Sequence, residues 1–365
     1  MLRNFAPTAH DFRALMRLAV PIVFAQVGIM LMGVADTVIV GHVSARELAG
    51  AALGHLYVFG LAVFGMGTLW AIDPIVSQAA GARDHDGIAL GVQRGVVLAV
   101  LIGAVVTLLC LPAESVFRLL RQPPEVVPRA AGFVWMSAPS MIVLLLWVTL
   151  RQSLQAMKHT RAIVITIIAG NISNLTFNWV FVFGHLGAPA MGAPGSALSS
   201  TISRWFMLGL LFVLSRRELA GVLAPWRRDT LQRAALGRTL VIGLPIGIQS
   251  MVEFTTFATI SVLAGWFGAE AISGHQVAIN LASLTFMVPM GIGSATSVLV
   301  GHAIGENDTP HARRVAASAL ACGAGFMSLC AVVMLALPHP LARAYTSVPG
   351  VVAIAATLIP IAGVF

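Results

Sequence analysis

The chain is built from long apolar stretches that are each close to the length of a bilayer-crossing helix. About 20 apolar residues cross the hydrocarbon core as a helix. No polar connection between the stretches is long enough to form a separate soluble domain. The sequence therefore predicts an all-α polytopic membrane protein with ten candidate spans, at residues 15–40, 50–76, 92–112, 131–150, 162–183, 195–214, 239–264, 271–299, 316–337 and 350–365.

The composition excludes the common soluble classes of protein. Hydrophobic residues make up 58% of the 365 positions, and only 10% are charged, whereas a soluble domain carries roughly 25% charged residues. Too few polar groups remain to cover a globular surface, so a soluble enzyme or a DNA-binding domain is excluded. Binding to nucleic acid therefore does not explain the net charge of +8.

The positions of the basic residues supply that explanation. With the N-terminus in the cytoplasm, 17 of the 22 Lys and Arg residues fall on the cytoplasmic side and five on the other, as the positive-inside rule requires. The connection at 215–238 alone contains six arginines. We expect a multi-pass protein of the bacterial inner membrane with a cytoplasmic N-terminus.

An internal repeat appears when the sequence is shifted by 224 positions. Pro21-Ile22 then falls on Pro245-Ile246, Met66-Gly67 on Met290-Gly291, and Asp84 on Asp308. An offset of six spans makes the two copies parallel, an arrangement found in alternating-access transporters. We predict an N-terminal lobe of six helices (1–214), a basic cytoplasmic linker (215–238) and a C-terminal lobe with four helices (239–365).

The last apolar stretch is unusually short. Val351 to Phe365 has 15 residues, with no aromatic or basic residues after it. Because the first lobe has six spans, we expect two further spans in the natural protein, twelve in all, and an incomplete C-terminal lobe here.

Six stretches place polar residues, glycine or proline inside or beside the apolar helices. They are Leu18-Ala-Val-Pro-Ile-Val, Val34-Ala-Asp-Thr-Val-Ile-Val-Gly, Gln78-Ala-Ala-Gly-Ala-Arg-Asp, Gly243-Leu-Pro-Ile-Gly-Ile-Gln-Ser-Met-Val-Glu, Gly274-His-Gln-Val-Ala-Ile-Asn and Gly301-His-Ala-Ile-Gly-Glu-Asn-Asp. These stretches resemble the multidrug and toxic compound extrusion (MATE) family, in particular its bacterial NorM-like branch. The resemblance implies two lobes with twelve spans, and export of organic cations driven by inward movement of Na+ or H+, with no other cofactor.

Asp36 is the strongest candidate for coupling to a cation. It lies within the first span, and ionisable groups inside spans are rare and functional by default. A carboxylate away from water takes up a proton more readily, and a bound cation competes with that proton. The resemblance places the matching acid in a cation site of the N-terminal lobe. A structural, hydrogen-bonded aspartate facing the bundle is the other interpretation.

Asn174 and Asn178 are four residues apart on one helix face. Amide oxygens are suitable ligands for hard cations, so Asp36, Asn174 and Asn178 form a possible Na+ site, although hydrogen bonding between helices would also explain the amides. Ser200 or Thr201 would add a hydroxyl group.

Other polar residues within the spans have weaker assignments. The resemblance makes Glu253 a second coupling carboxylate, and hydrogen bonding to Gln249 is its structural alternative. Asp73 is expected to form a local ion pair with Arg83 or Arg94. Three residues are candidates for contact with substrate or, equally, for hydrogen bonds between helices: Gln26, Gln276 and Asn280.

Two rival functions predict features that the sequence lacks. A flippase or exporter of lipid-linked saccharides would need a cavity ringed by arginine, yet within the spans Arg204 is the main basic residue. A membrane sensor would need a soluble output domain. No Walker A, nucleophile-elbow or HExxH sequence is present. We therefore expect a monomeric, non-enzymatic antiporter for small organic cations, embedded in lipid.

Overall fold

The computed structural model describes residues 9–346 and 348–364. Over those residues the chain is α-helical apart from short turns and connections, and no strand occurs in them. The helices are α1 (Ala9–Gly41), α2 (Ala45–Leu69), α3 (Ile72–Gly81), α4 (His85–Cys110), α5 (Ala113–Leu119), α6 (Val127–Ser137), α7 (Met141–Ala156), α8 (Arg161–Phe183), α9 (Ala193–Leu214), α10 (Arg216–Leu223), α11 (Arg233–Trp266), α12 (Ala269–Gly305), α13 (Thr309–Ala336), α14 (Pro338–Tyr345) and α15 (Pro349–Val364).

The described part of the chain contains nine helical segments that are long and apolar enough to cross a membrane, judged by length and composition. Each contains most or all of one of the first nine predicted spans, so the all-α polytopic fold is confirmed. The tenth predicted span corresponds to the shorter apolar helix α15, except for Phe365, which lies outside the described residues.

Two of the predicted spans are interrupted at prolines. The span over residues 50–76 is divided by a turn between α2 and α3 at Trp70 and Ala71. Pro74 follows that turn and has no N–H group to donate to the carbonyl of Trp70, so the regular bonding pattern stops there. A short 3-10 turn at Ala138–Ser140, which contains Pro139, separates α6 from α7 in the same way.

The repeat of 224 residues is visible in the boundaries of the helices. α2 begins at residue 45 and α12 at residue 269, while α4 begins at 85 and α13 at 309. Asp84 caps α4 by accepting from the Gly87 N–H at 2.9 Å, and Asp308 caps α13 by accepting from the His311 N–H at the same distance. Equivalent residues therefore perform equivalent local tasks, as expected for N-caps.

The repeat also explains one difference between the halves. Counterparts of α2 and α3 in the second half form the single helix α12 (Ala269–Gly305). The position equivalent to Pro74 is Val298, which keeps its N–H group. The helix accordingly continues through the position where the first half turns.

The chain forms two compact units, one made of Gly28–Met251 and the other of the described residues in Met1–Val27 and Val252–Phe365. The first unit, called here the central unit, packs α2, α4, α5, α6 and α7 around a core that includes Cys110, Phe117 and Met141. In the terminal unit the start of α1 packs against α12 and α13, and α15 packs against α12, α13 and α14. The predicted lobe boundaries at 214 and 239 stay a prediction.

Candidate functional site

The site in the central unit begins with a close approach of α1 to α8. A Cβ atom at Gly28 would lie 2.5 Å from Ile167 Cγ2, so only glycine fits without movement of the neighbour. Asn171 Nδ2 donates to the Gly28 carbonyl at 3.0 Å. Asn171, Asn174 and Asn178 recur at helical spacing, so one polar face of α8 is turned towards α1.

Asp36, two turns further along α1, accepts hydrogen bonds from three neutral side chains. Asn178 Nδ2 donates to Asp36 Oδ1 at 2.7 Å and Asn174 Nδ2 donates to the same oxygen at 3.0 Å. Ser200 Oγ, from α9, donates to Asp36 Oδ2 at 2.7 Å. The structure thus brings together four of the residues singled out from the sequence, on three different helices.

Burial differs between the carboxylate and the residues that surround it. Asn174 and Asn178 are fully buried and Ser200 is 7% exposed, whereas Asp36 is only half-buried. Both amide Oδ1 atoms are buried, and among the described residues they have no hydrogen-bond partner. An amide oxygen without a partner is costly in an apolar interior. Two potential cation ligands therefore lie beside one partly accessible carboxylate.

Arg204 is a charged neighbour that the sequence interpretation did not assign to the site. Its guanidinium interacts favourably with the charge of Asp36, while its Nη1 atom donates to Ser140 Oγ at 2.8 Å. The spacing contained a signal, because Arg204 follows Ser200 by four residues and so shares its helix face.

The remaining sequence candidates have other surroundings. Thr201 Oγ1 donates to the Met136 carbonyl at 2.7 Å, so Ser200 is the hydroxyl that contacts Asp36. In the terminal unit, Gln26 Nε2 lies 3.0 Å from Met290 Sδ. Glu253 and Gln276 are exposed, and Asn280 is half-buried.

Asp73 lies in a second buried polar cluster of the central unit. Gln155 Nε2 donates to Asp73 Oδ2 at 3.2 Å, and Arg151 is its charged neighbour. Arg151 itself is 5% exposed and lies over the ring of Trp147, 5.5 Å from its centroid. The expected pairing with Arg83 or Arg94 is wrong, because a buried arginine on α7 is the charged neighbour instead.

The Asp36 cluster has the chemistry of a site for one monovalent cation or one proton. It offers a single carboxylate with amide and hydroxyl oxygens, which are hard ligands of the kind that Na+ accepts. In the described ranges no three His, Cys, Asp or Glu residues come together as a metal-binding group.

The family model and the relatives found by comparison with known proteins agree with one another. The family model described as MatE matches residues 21–180 and 245–365. The Multidrug resistance protein PmpM of Pseudomonas aeruginosa is 32% identical over 360 residues, which is 97% of this chain and 75% of that protein. The Multidrug resistance protein MdtK of Pectobacterium atrosepticum is 31% identical over 364 residues, 97% of this chain and 78% of that one.

Solved structures agree on the fold. A crystal structure of the eukaryotic MATE transporter AtDTX14 superposes with a TM-score of 0.87 at 18% identity, over 97% of this chain and 79% of that one. An outward-facing multidrug resistance MATE family transporter of the MOP superfamily gives 0.84 at 16% identity, over 97% and 79% of the respective chains.

Proposed function

We propose a cation-coupled export mechanism for this chain, which belongs to the MatE family and is a bacterial multidrug efflux transporter of the NorM-like kind. Relatives named as multidrug resistance proteins support small organic molecules as its substrates. We infer that these are organic cations and that Na+ or H+ moves inward in exchange. No enzymatic step and no bound cofactor are needed for this activity.

The observation that carries the proposal is the hydrogen-bonded cluster around Asp36. Three neutral donors contact both oxygens of the carboxylate, and hydrogen bonds of this kind favour the charged form. Uptake of a proton turns one of these oxygens into a donor, and a bound Na+ takes one of its acceptor positions. The bonds from α8 and α9 to α1 must then rearrange, so occupancy of the site is coupled to the packing of three helices.

Na+ would be held by Asp36 with the Oδ1 atoms of Asn174 and Asn178. These two buried atoms have no partner among the described residues, and rotation of either amide would exchange its donor for an acceptor facing the carboxylate. A proton would use Asp36 alone. The same cluster can therefore serve either ion.

Alternating access then requires that the coupling ion binds the two conformations of the transporter with different affinities. A ligand shifts a conformational equilibrium only by as much as its affinities for the two states differ. The proposed lobes at 1–214 and 239–365, with the linker 215–238 on the cytoplasmic side, are the bodies that would exchange conformations. Glu253 is the proposed second coupling carboxylate, and contact with substrate is proposed for Gln26, Gln276 and Asn280.

The placement of the protein is proposed on the same basis. The protein is proposed to be a monomer in the lipid bilayer of the inner membrane. Its orientation, with the N-terminus in the cytoplasm, is supported by the 17 to 5 distribution of basic residues.

Efflux from proteoliposomes tests the function. The purified full chain is reconstituted with a fluorescent organic cation inside the vesicles, and Na+ and H+ gradients are imposed separately. We expect export under one gradient and none without a gradient, with Asp36→Asn as the inactive control. A folded protein that exports under neither gradient would contradict the proposal and favour a lipid-like substrate.

A further inference from the structure

The connection between α9 and α11, together with the first turns of α11 (residues 215–238 in all), is called here the arginine platform and is anchored to α4 by one buried side chain. Gln93 is fully buried. Its Nε2 atom donates to the carbonyls of Val222 and Pro225 at 3.0 and 3.1 Å. Its Oε1 atom accepts from the Arg227 N–H at 3.0 Å and from Thr230 Oγ1 at 2.7 Å.

Further contacts hold the same segment in place. Arg227 forms an ion pair with Asp86 at 2.5 Å, and Arg94 Nη2 donates to the Asp229 carbonyl at 3.2 Å. Leu219 is fully buried, and Val222 is 8% exposed. These contacts make the connection a folded surface of the central unit rather than a free tether.

The platform presents more positive charge than the protein neutralises. It contains six arginines and two acids, and one acid, Asp229, already accepts from Gln232 Nε2 at 2.6 Å. In the part of the chain that the structure describes, five of its arginines are exposed and form no ion pair with a carboxylate: Arg216, Arg217, Arg228, Arg233 and Arg238.

Two large apolar side chains lie among these arginines in the sequence. Trp226 is 49% exposed and Leu231 is 60% exposed. Tryptophan is enriched where a protein meets the headgroup region of a bilayer, and exposed apolar groups beside arginine are typical of segments that lie on an anionic membrane surface.

The platform also joins two membrane-spanning helices directly, α9 at Leu214 and α11 at Arg233, which holds it at the bilayer surface. Basic clusters next to a span attract anionic lipid, and each basic residue contributes about 1 kcal/mol near such a surface. We propose that the arginine platform binds the headgroups of anionic phospholipids. This inference depends on the spans but not on the transported substrate or the coupling ion.

Retention of defined lipids by the purified full chain tests the proposal. The protein is prepared in detergent with equal amounts of phosphatidylglycerol and phosphatidylcholine, and bound lipid is measured by mass spectrometry. We expect selective retention of phosphatidylglycerol. The triple variant R216Q/R217Q/R228Q should bind it roughly a hundredfold more weakly, because each arginine accounts for roughly a fivefold effect.

The matched control removes the same charge elsewhere. Arg118, Arg121 and Arg343 are exposed arginines that the charge distribution places on the opposite side of the membrane, and R118Q/R121Q/R343Q should keep the selectivity of the wild type. Equal losses in the two triple variants would overturn the proposal, because net charge alone would then explain the binding. Displacement of the lipid by inorganic phosphate at the same concentration would also overturn it, since the platform would then recognise a free anion.

A variant that leaves every arginine in place tests the anchoring. Thr230→Val removes the hydroxyl that donates to Gln93 and keeps the volume, so we expect weaker retention of phosphatidylglycerol. Gln93→Leu, which loses all four anchoring bonds, should have a larger effect. If both variants remain folded and bind the lipid as the wild type does, the anchoring by Gln93 does not contribute to lipid binding, and that part of the proposal is wrong. Export activity is measured separately, so failure of the export mechanism would not affect this result.

Discussion

Asp36 and Asp73 are both carboxylates within the predicted spans of the central unit, and each has an arginine as charged neighbour, Arg204 and Arg151 respectively. Their other surroundings differ. Asp36 is half-buried, and its oxygens accept from three neutral side chains on two other helices. Asp73 is 5% exposed and accepts from Gln155.

This difference distinguishes a carboxylate that can bind and release a cation, Asp36, from one that is enclosed in the interior, Asp73. A buried pair with both partners fixed holds the structure together, because removal of one partner leaves the other charge without compensation. A half-buried carboxylate held by three neutral donors can accept a proton or a cation through rearrangement of those donors. On this reasoning we propose Asp36 as the coupling acid and a structural role for Asp73.

The largest effect is expected from Asp73→Asn. Arg151 would keep its charge in a buried position, which costs about 3–5 kcal/mol of stability. Thermal unfolding in detergent would measure the loss, and D73N/R151Q should recover part of it. Export per folded molecule should stay close to wild type. A stable Asp73→Asn protein without export would instead make Asp73 part of the transport site.

Asp36→Asn should instead affect export more than stability. Stability should fall less than in Asp73→Asn, because the amide oxygen can still accept from Asn174 and Asn178 and Arg204 keeps its hydrogen bond to Ser140. Gradient-driven export should fall by roughly 5- to 150-fold, the usual range for a lost coupling free energy. Efflux from proteoliposomes under the driving gradient measures this. Export at the wild-type rate would rule out Asp36 as the coupling acid.

Ser200→Ala distinguishes Na+ from H+ as the coupling ion. If Na+ is the coupling ion, loss of a ligand should raise the Na+ concentration for half-maximal export by about tenfold, equivalent to a hydrogen bond to a charged group. If H+ is the coupling ion, the carboxylate loses a donor that stabilises its charge, and less H+ should be needed. Thr201→Val is the control, because its hydroxyl bonds to Met136. An unchanged ion dependence would separate Ser200 from the site.

Gly28→Ala should have the smallest effect, since it acts on the site only through helix packing. The added Cβ would meet Ile167 Cγ2, and overpacking of this kind costs about 1–2 kcal/mol. Ile167→Ala makes room, so the two changes together should cost less than the sum of each alone. Thermal unfolding of the two single variants and the double variant measures the coupling. Additive losses would show that Gly28 and Ile167 are not in the close contact that limits the residue at position 28.

The sequence alone determined the features that depend on local chemistry. Length and hydropathy gave the spans, because the backbone of a membrane segment must satisfy its hydrogen bonds within a helix. The repeat gave the matching caps at Asp84 and Asp308. Asp36, Asn174 and Asn178 were identified as polar residues inside apolar helices, and their cation-coupling role stays a prediction.

Only the tertiary structure decided which side chains meet across helices. It placed Arg151 beside Asp73 in place of Arg83 or Arg94, turned Ser200 and not Thr201 towards Asp36, and brought Arg204 near the same carboxylate. Spacing along one helix fixes which residues share a face, but not how far that helix is rotated against its neighbours. That rotation depends on close approaches such as Gly28 against Ile167, between residues 139 positions apart in the chain, and so it is a property of the packed fold.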